Sequence, residues 1–141
     1  MTPASGLRAS VLFAAIAAIV GCGGGSPTGN QKPVHPVRGE VYHGGKAAAG
    51  AFVVFVPAME PADTPDPRPR GHVNEDGSFT LSTYGVNDGA PAGEYLVTIT
   101  WPIADRDDED KLRGRYADRA RSGLKATVKE GDNKIPAFNL K

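Results

Sequence analysis

The chain has 141 residues, a length typical of one domain, with 18 glycines, 12 prolines and a single cysteine. Its formal net charge is zero, so no basic excess indicates nucleic acid or an anionic lipid surface as a partner. A single cysteine excludes an intrachain disulfide, and the recurrence of apolar runs of strand length argues against a wholly disordered chain.

The first 21 residues have the pattern of an export signal. Arg8 precedes an apolar run at 9–20, and the next two residues complete the lipobox Ile19-Val20-Gly21-Cys22. The chemistry associated with that motif attaches a diacylglyceryl group to the Cys22 sulfur and cleaves the chain between Gly21 and Cys22. Further acyl groups such as palmitate can follow on the new amine, and two or more chains hold a protein stably on a bilayer.

The alternative for this segment is a transmembrane helix with an incidental cysteine. The apolar run is shorter than the ~20 residues that a span requires, and the glycines at 23–25 would end a helix immediately. The lipobox interpretation is therefore preferred, with residues 22–33 as a flexible tether. An aspartate directly after the lipidated cysteine favours retention in the inner membrane. This chain has Gly23 at that position, which favours the outer membrane, facing the periplasm or the exterior.

From Val34 onward the hydrophobic pattern has a period of two, interrupted by turns. Residues 37–42 predict a first strand, and 51–56, apolar at every position, predict a central strand covered on both faces. Four prolines at 58–70 predict an exposed loop, and the turn at 74–77 leads into a strand at Phe79 and Leu81. Alternation then predicts strands at 93–101, 124–128 and up to 140.

Residues 102–123 do not follow this pattern. They are acidic at 105–110 and basic at 113–121, so a short helix and a solvated loop both remain open. The remaining pattern, about seven short strands with polar turns, predicts an all-β sandwich of the immunoglobulin or prealbumin type over residues 34–141.

Several blocks in this region resemble the carboxypeptidase regulatory-like, or transthyretin-like, domain, in its small bacterial lipoprotein form. They are VRGEV at 37–41, GAFVVFVP at 50–57, NEDGSFTL at 74–81, PAGEYLVTI at 91–99, YAD at 116–118, SGL at 122–124 and ATV at 126–128. The resemblance implies a seven-stranded sandwich and little about activity. The enzymatic branch of the transthyretin-like proteins ends in Tyr-Arg-Gly-Ser, whereas this chain ends in Asn139-Leu140-Lys141.

The sequence offers few residues for chemistry, because it contains no nucleophile, metal or phosphate motif. His35, His43 and His72 can be exposed strand-end residues or, less readily, metal ligands. The aspartates at 105–110, Asp107 and Asp110 among them, can bind Ca²⁺ or form a solvated charged loop. Tyr84 is the aromatic residue best placed for a sugar contact, whereas Trp101 is expected in the core.

The sequence therefore predicts a lipid-anchored, non-catalytic module of the cell envelope with a structural or interaction role, without a cofactor or a metal. Its expected partners are the membrane, through the lipid on Cys22, and an envelope protein or polysaccharide, not nucleic acid. The alternative is a surface module that binds carbohydrate or calcium through Tyr84, Asp107 and Asp110.

Overall fold

The computed structural model describes residues 29–60, 67–104 and 106–141, with the side chains at 106 and 107 left aside. The described residues contain strands and turns and no helix. The strands in chain order are β1 Val34–His35, β2 Val37–His43, β3 Lys46–Ala47, β4 Phe52–Pro57, β5 Arg70–His72, β6 Ser78–Thr80, β7 Ala90–Pro91, β8 Gly93–Thr100, β9 Pro102–Ile103, β10 Arg106–Asp110, β11 Leu124–Val128, β12 Asn133–Lys134 and β13 Phe138–Leu140.

Two sheets form the body of the fold. The first has the order β11-β8-β4-β5, and every pairing in it is antiparallel. The second is built on β2, which pairs in parallel with β12 and β13 and antiparallel with β3 and β6. This arrangement confirms the predicted all-β class and the sandwich. The described residues contain thirteen strands where about seven were predicted, because several of them are only two residues long.

The core lies between the sheets because alternate side chains of each strand point inward. Val53 and Phe55 of β4 face Val97 and Ile99 of β8, and all four are fully buried. The opposing sheet contributes Phe79, whose ring stands 6.4 Å from that of Phe55. The predicted alternation of buried and exposed side chains on β8 and β11 is therefore the observed one.

The central position of β4 is confirmed, but its outer face, predicted to be covered, is covered only in part, with Val56 buried on it. Phe52 and Val54 are only half-buried. Their cross-strand neighbours on the outer face are His72 and Arg70 of β5. Side chains with an apolar body and a polar tip can cover apolar surface while the tip stays in water, so these two partly shield β4 on that face.

Residues 102–123 contain no helix where the structure describes them. β9 and β10 pair antiparallel, and a series of turns follows. Leu112 and Tyr116 from these turns are buried in the core, and the Ile99 amide donates to the Tyr116 carbonyl at 2.9 Å. The segment therefore extends the edge of β8 beyond the end of β11.

The two ends of the domain differ. β4 ends and β8 begins at the end where β1 pairs with β7, which we call the entry end because the chain enters the fold there. At the opposite, distal end, β2 finishes beside β3 and β8 continues into β9.

Candidate functional site

Tyr84 lies at the entry end, on the loop between Leu81 and Ala90. Its ring is 38% exposed, and its hydroxyl accepts a hydrogen bond from the Lys32 amide at 3.1 Å. The loop is organised by Asp88, whose carboxylate accepts the amides of Thr83, Tyr84 and Gly85 at 2.7–2.9 Å. Three charge-assisted bonds from one side chain fix the loop that presents Tyr84.

Asp110 has a similar role at the distal end. Its Oδ1 accepts the amides of Trp101 and Leu112 at 2.7 and 3.0 Å, and its Oδ2 accepts that of Gly114 at 3.0 Å. Both oxygens are therefore used in holding the turns after β8 and β10. The predicted calcium contact through Asp107 falls on a side chain outside the described residues, as does all of Asp105.

The three histidines are in different surroundings. His35 Nδ1 accepts the Gly131 amide at 3.2 Å, at the entry end. The ring of His43 stands 5.9 Å from that of Trp101 at the distal end, and the ring of His72 stands 4.8 Å from that of Phe52. No three His, Cys, Asp or Glu side chains come together as a potential metal site in the part of the chain that is described.

Trp101 is partly buried against the core, close to its predicted position. Its indole Nε1 donates to the Ala49 carbonyl at 2.8 Å, and Lys111 Nζ lies 4.6 Å above its ring. The indole therefore closes the distal end of the sandwich and is not free to stack on a sugar.

A groove along the side of the domain was not predicted from the sequence. It has a volume of about 400 Å³ and is lined by the Phe52–His72 ring pair, Arg70, Asn74 and Asn87, among other residues. We call it the lateral groove. An aromatic surface beside amide and guanidinium donors has the composition that a glycan site requires. These residues come from separate strands and loops, so only the fold brings them together.

A second recess lies at the entry end, with a volume of about 300 Å³. Pro57, Pro91 and Tyr95 line it together with Met59 and Lys32. Met59 is 89% exposed, which is unusual for so apolar a side chain. We call this the entry recess.

Charged residues on the surface form a few local clusters. Glu60 binds Arg68 at 3.0 Å and Arg119 at 3.1 Å, and chiefly the hydrogen bond from Arg68 lowers the pKa of Glu60. The Ser78 hydroxyl, donating at 2.6 Å, lowers the pKa of Asp76 in the turn at 74–77. The Tyr42 hydroxyl donates to Glu40 at 3.2 Å, which raises the pKa of Tyr42. These contacts join loops and strands on the surface.

The predicted lipidation and cleavage sites, Cys22 and Gly21, lie outside the described residues, as do the signal segment and most of the tether. Within the described ranges, no helix has the length and apolar character needed to cross a bilayer.

Comparison with known proteins identifies no family for this chain. No family model matches it, and no curated protein matches it. One solved structure that resembles it is a DUF3823 family protein from Parabacteroides merdae, with 15% sequence identity and a TM-score of 0.40. The match covers 75% of this chain but only 45% of that protein, so this chain spans less than half of its length.

Proposed function

We propose that the protein is a lipid-anchored, non-catalytic module of the bacterial cell envelope, related to the carboxypeptidase regulatory-like domains. The observation that carries the proposal is the placement of the lipobox relative to the fold. Cys22 precedes β1 by a short Gly- and Pro-containing segment, and β1 is tied to the sandwich by its pairing with β7. A lipid on Cys22 would hold the entry end within ~20 Å r.m.s. of the membrane.

The contacts of the acidic residues support an interaction role over a calcium role. Asp88 and Asp110 each direct a carboxylate at several backbone amides, which leaves little coordination capacity for a cation. Both residues build loops at the ends of the sandwich. Loops displayed on a rigid β scaffold are a common way for such domains to present binding surfaces.

The test is lipid labelling and fractionation in a bacterial host. The wild-type chain should incorporate labelled palmitate and sediment with membranes, and Cys22→Ser should lose the label and leave the membrane fraction. A matched control, Cys22→Ser combined with Ser26→Cys, retains one thiol outside the lipobox and should also remain unlabelled. Membrane retention and label at wild-type levels in Cys22→Ser would refute the proposal.

A second candidate function, polysaccharide binding, is favoured by the lateral groove. The Phe52 and His72 rings offer a stacking surface, and Arg70, Asn74 and Asn87 offer donors beside it. Tyr84 lies on the entry-end loop and does not line this groove.

Pull-down on purified peptidoglycan and on envelope polysaccharide tests this second candidate. Phe52→Ala should reduce retention about tenfold, because sugar stacking requires the ring face. Lys46→Ala, an exposed change at the start of β3, should leave retention unchanged. Equal retention of wild-type and Phe52→Ala protein would exclude the groove as the glycan site.

A further inference from the structure

The exposed large apolar side chains of the described residues all belong to the entry end. They are Met59, 89% exposed, Val86, 90% exposed, and Tyr84, 38% exposed. Met59 follows the end of β4 and lines the entry recess, whereas Tyr84 and Val86 lie on the loop that returns to β7. Large apolar side chains gathered on one surface commonly mark a site of protein or membrane contact.

The chain enters the fold at this same surface. The Lys32 amide donates to the Tyr84 hydroxyl at 3.1 Å, and Lys32 lines the entry recess together with Met59. Ten residues separate Cys22 from Lys32, a length that reaches at most ~35 Å when extended and ~17 Å on r.m.s. average. A lipid on Cys22 therefore brings Met59, Tyr84 and Val86 close to the bilayer.

The loop that carries Tyr84 and Val86 is held in place without using either side chain in the core. Asp88 accepts three of its amides, and the Asn87 amide donates to the Ser82 hydroxyl at 2.8 Å. These hydrogen bonds from backbone amides to the Asp88 and Ser82 side chains hold the loop so that Val86 faces the solvent. A preorganised apolar side chain loses little conformational freedom on binding.

At the distal end, none of the described large apolar side chains is exposed. Glu75 and Asp76 are exposed in the turn after β5, and Asp108 and Glu109 are exposed on β10. Lys46 is exposed there too, and Lys111 lies over the Trp101 ring, so this end carries charges of both signs. The domain thus exposes large apolar side chains beside its tether and a charged surface away from it.

We infer that Met59, Tyr84 and Val86 form a docking surface for the phospholipid bilayer, so that the entry end rests on the membrane and the distal end faces outward. The inference rests on the proposed lipid anchor, which supplies the local concentration. Tyr84 places an aromatic ring with a polar tip at the headgroup level, while Met59 and Val86 enter the acyl boundary. The distal loops remain accessible to envelope partners in this orientation.

The experiment measures depth at single labelled positions. The full-length lipidated protein is reconstituted in vesicles of phosphatidylethanolamine and phosphatidylglycerol, after Val86→Cys or, as the matched control, Lys46→Cys. The chain has a single native cysteine, whose sulfur the lipid occupies, so each variant offers one thiol for an environment-sensitive fluorophore. Lys46 is exposed at the far end of β2, whose seven residues place it more than ~20 Å from the entry end.

A fluorophore at position 86 should shift to the blue and be quenched by lipids carrying a spin label near the headgroup, and one at position 46 should do neither. Similar quenching at both positions, or none at position 86, would overturn the inference. If the protein floats with the vesicles but position 86 is not quenched, the anchor stands and the docking surface is wrong. If the thiol of Cys22 remains free and the wild-type protein does not float, the anchor itself is wrong.

A second measurement decides the docking surface without the anchor. Protein lacking residues 1–22, and with them both the apolar run and the anchor, is floated with the same vesicles, with and without the pair Met59→Ser and Val86→Ser. Both side chains are highly exposed, so the changes leave the core intact. The pair should lower the vesicle partition coefficient at least tenfold, and an unchanged coefficient would also overturn the inference.

Discussion

Gly89 offers a sharp test of how the entry end is assembled. Its φ is +95°, and a Cβ built on it would overlap the His35 carbonyl oxygen and lie 2.9 Å from Pro36 Cα. Gly131, at the same end, has φ +94° but no neighbour within 4 Å of such a Cβ. The two glycines thus share a backbone conformation and differ in the space available.

The expected costs of alanine at these positions follow from that difference. Gly131→Ala should cost ~1–2 kcal/mol, the penalty of a side chain at positive φ. Gly89→Ala carries the same penalty and must also displace β1 from β7, where His35 pairs with Ala90. Ladder hydrogen bonds worth ~1 kcal/mol each and the exposure of the buried Ala90 add ~2 kcal/mol. The total for Gly89→Ala is then ~3–4 kcal/mol.

Thermal unfolding of the full-length chain, followed by far-ultraviolet circular dichroism, measures this. For a domain of this size, ~2 kcal/mol corresponds to roughly 10 °C in the melting temperature. The melting temperature of Gly89→Ala should therefore fall about 10 °C further than that of Gly131→Ala. Equal losses for the two variants would show that close packing of Gly89 against β1 does not stabilise the fold, and the reasoning would fail.

Three further predictions concern the core, a loop and an ion cluster. Phe55→Ala should lower the free energy of unfolding by ~3–5 kcal/mol in denaturant titration, because the ring is fully buried. Phe52→Ala, at a half-buried position on the same strand, should lower it by less than half as much. Asp110→Ala should cost ~2–3 kcal/mol in the same titration, because several backbone amides lose a charged acceptor. Glu60, whose pKa the Arg68 hydrogen bond lowers, should contribute stability that is present above its ordinary pKa of 4.5 and is lost as the pH falls through the lower folded value.

Each of these has a measurable counter-result. Equal destabilisation by the two phenylalanine truncations would mean that the outer face of β4 is as tightly packed as the inner one. A neutral Asp110→Ala would remove its role in holding the turns after β8 and β10. For Glu60, the stability difference between wild-type and Glu60→Gln protein should narrow at acidic pH, and a difference independent of pH would contradict the assigned cause.

The period-two pattern was sufficient to predict the main strands, because a strand buried on one face has apolar and polar residues in alternation. The predicted bounds of four strands lie within one or two residues of the observed ones, namely those of β2, β4, β8 and β11. The two-residue strands β1 and β7 were not predicted, because so short a segment has no periodicity to detect. Their pairing is set by the chain path past Gly89, which is a tertiary feature.

The candidate site was predicted less well, and the aspartates show why. Asp110 was considered as a calcium ligand on composition alone, whereas its oxygens bind the amides of Trp101, Leu112 and Gly114. The amides at 112 and 114 are local, and an aspartate that binds amides a few residues onward is a recognised turn pattern. The Trp101 amide is nine residues away, so only the pairing of neighbouring strands could reveal it. The lateral groove and the entry recess depend on such long-range placement throughout.

The parallel pairing of β2 has a consequence for the order of events during synthesis. Val37 pairs with Asn133 and Val41 with Phe138, so the second sheet joins the first part of the fold to the last. Contacts so distant in sequence form slowly, because the chain loses entropy in closing the loop before the contacts compensate it. A ribosome must release nearly the whole chain before this sheet can close. The proposed lipobox requires export, and such a delay would leave the chain unfolded long enough to pass through a translocation channel before its final strands complete the domain.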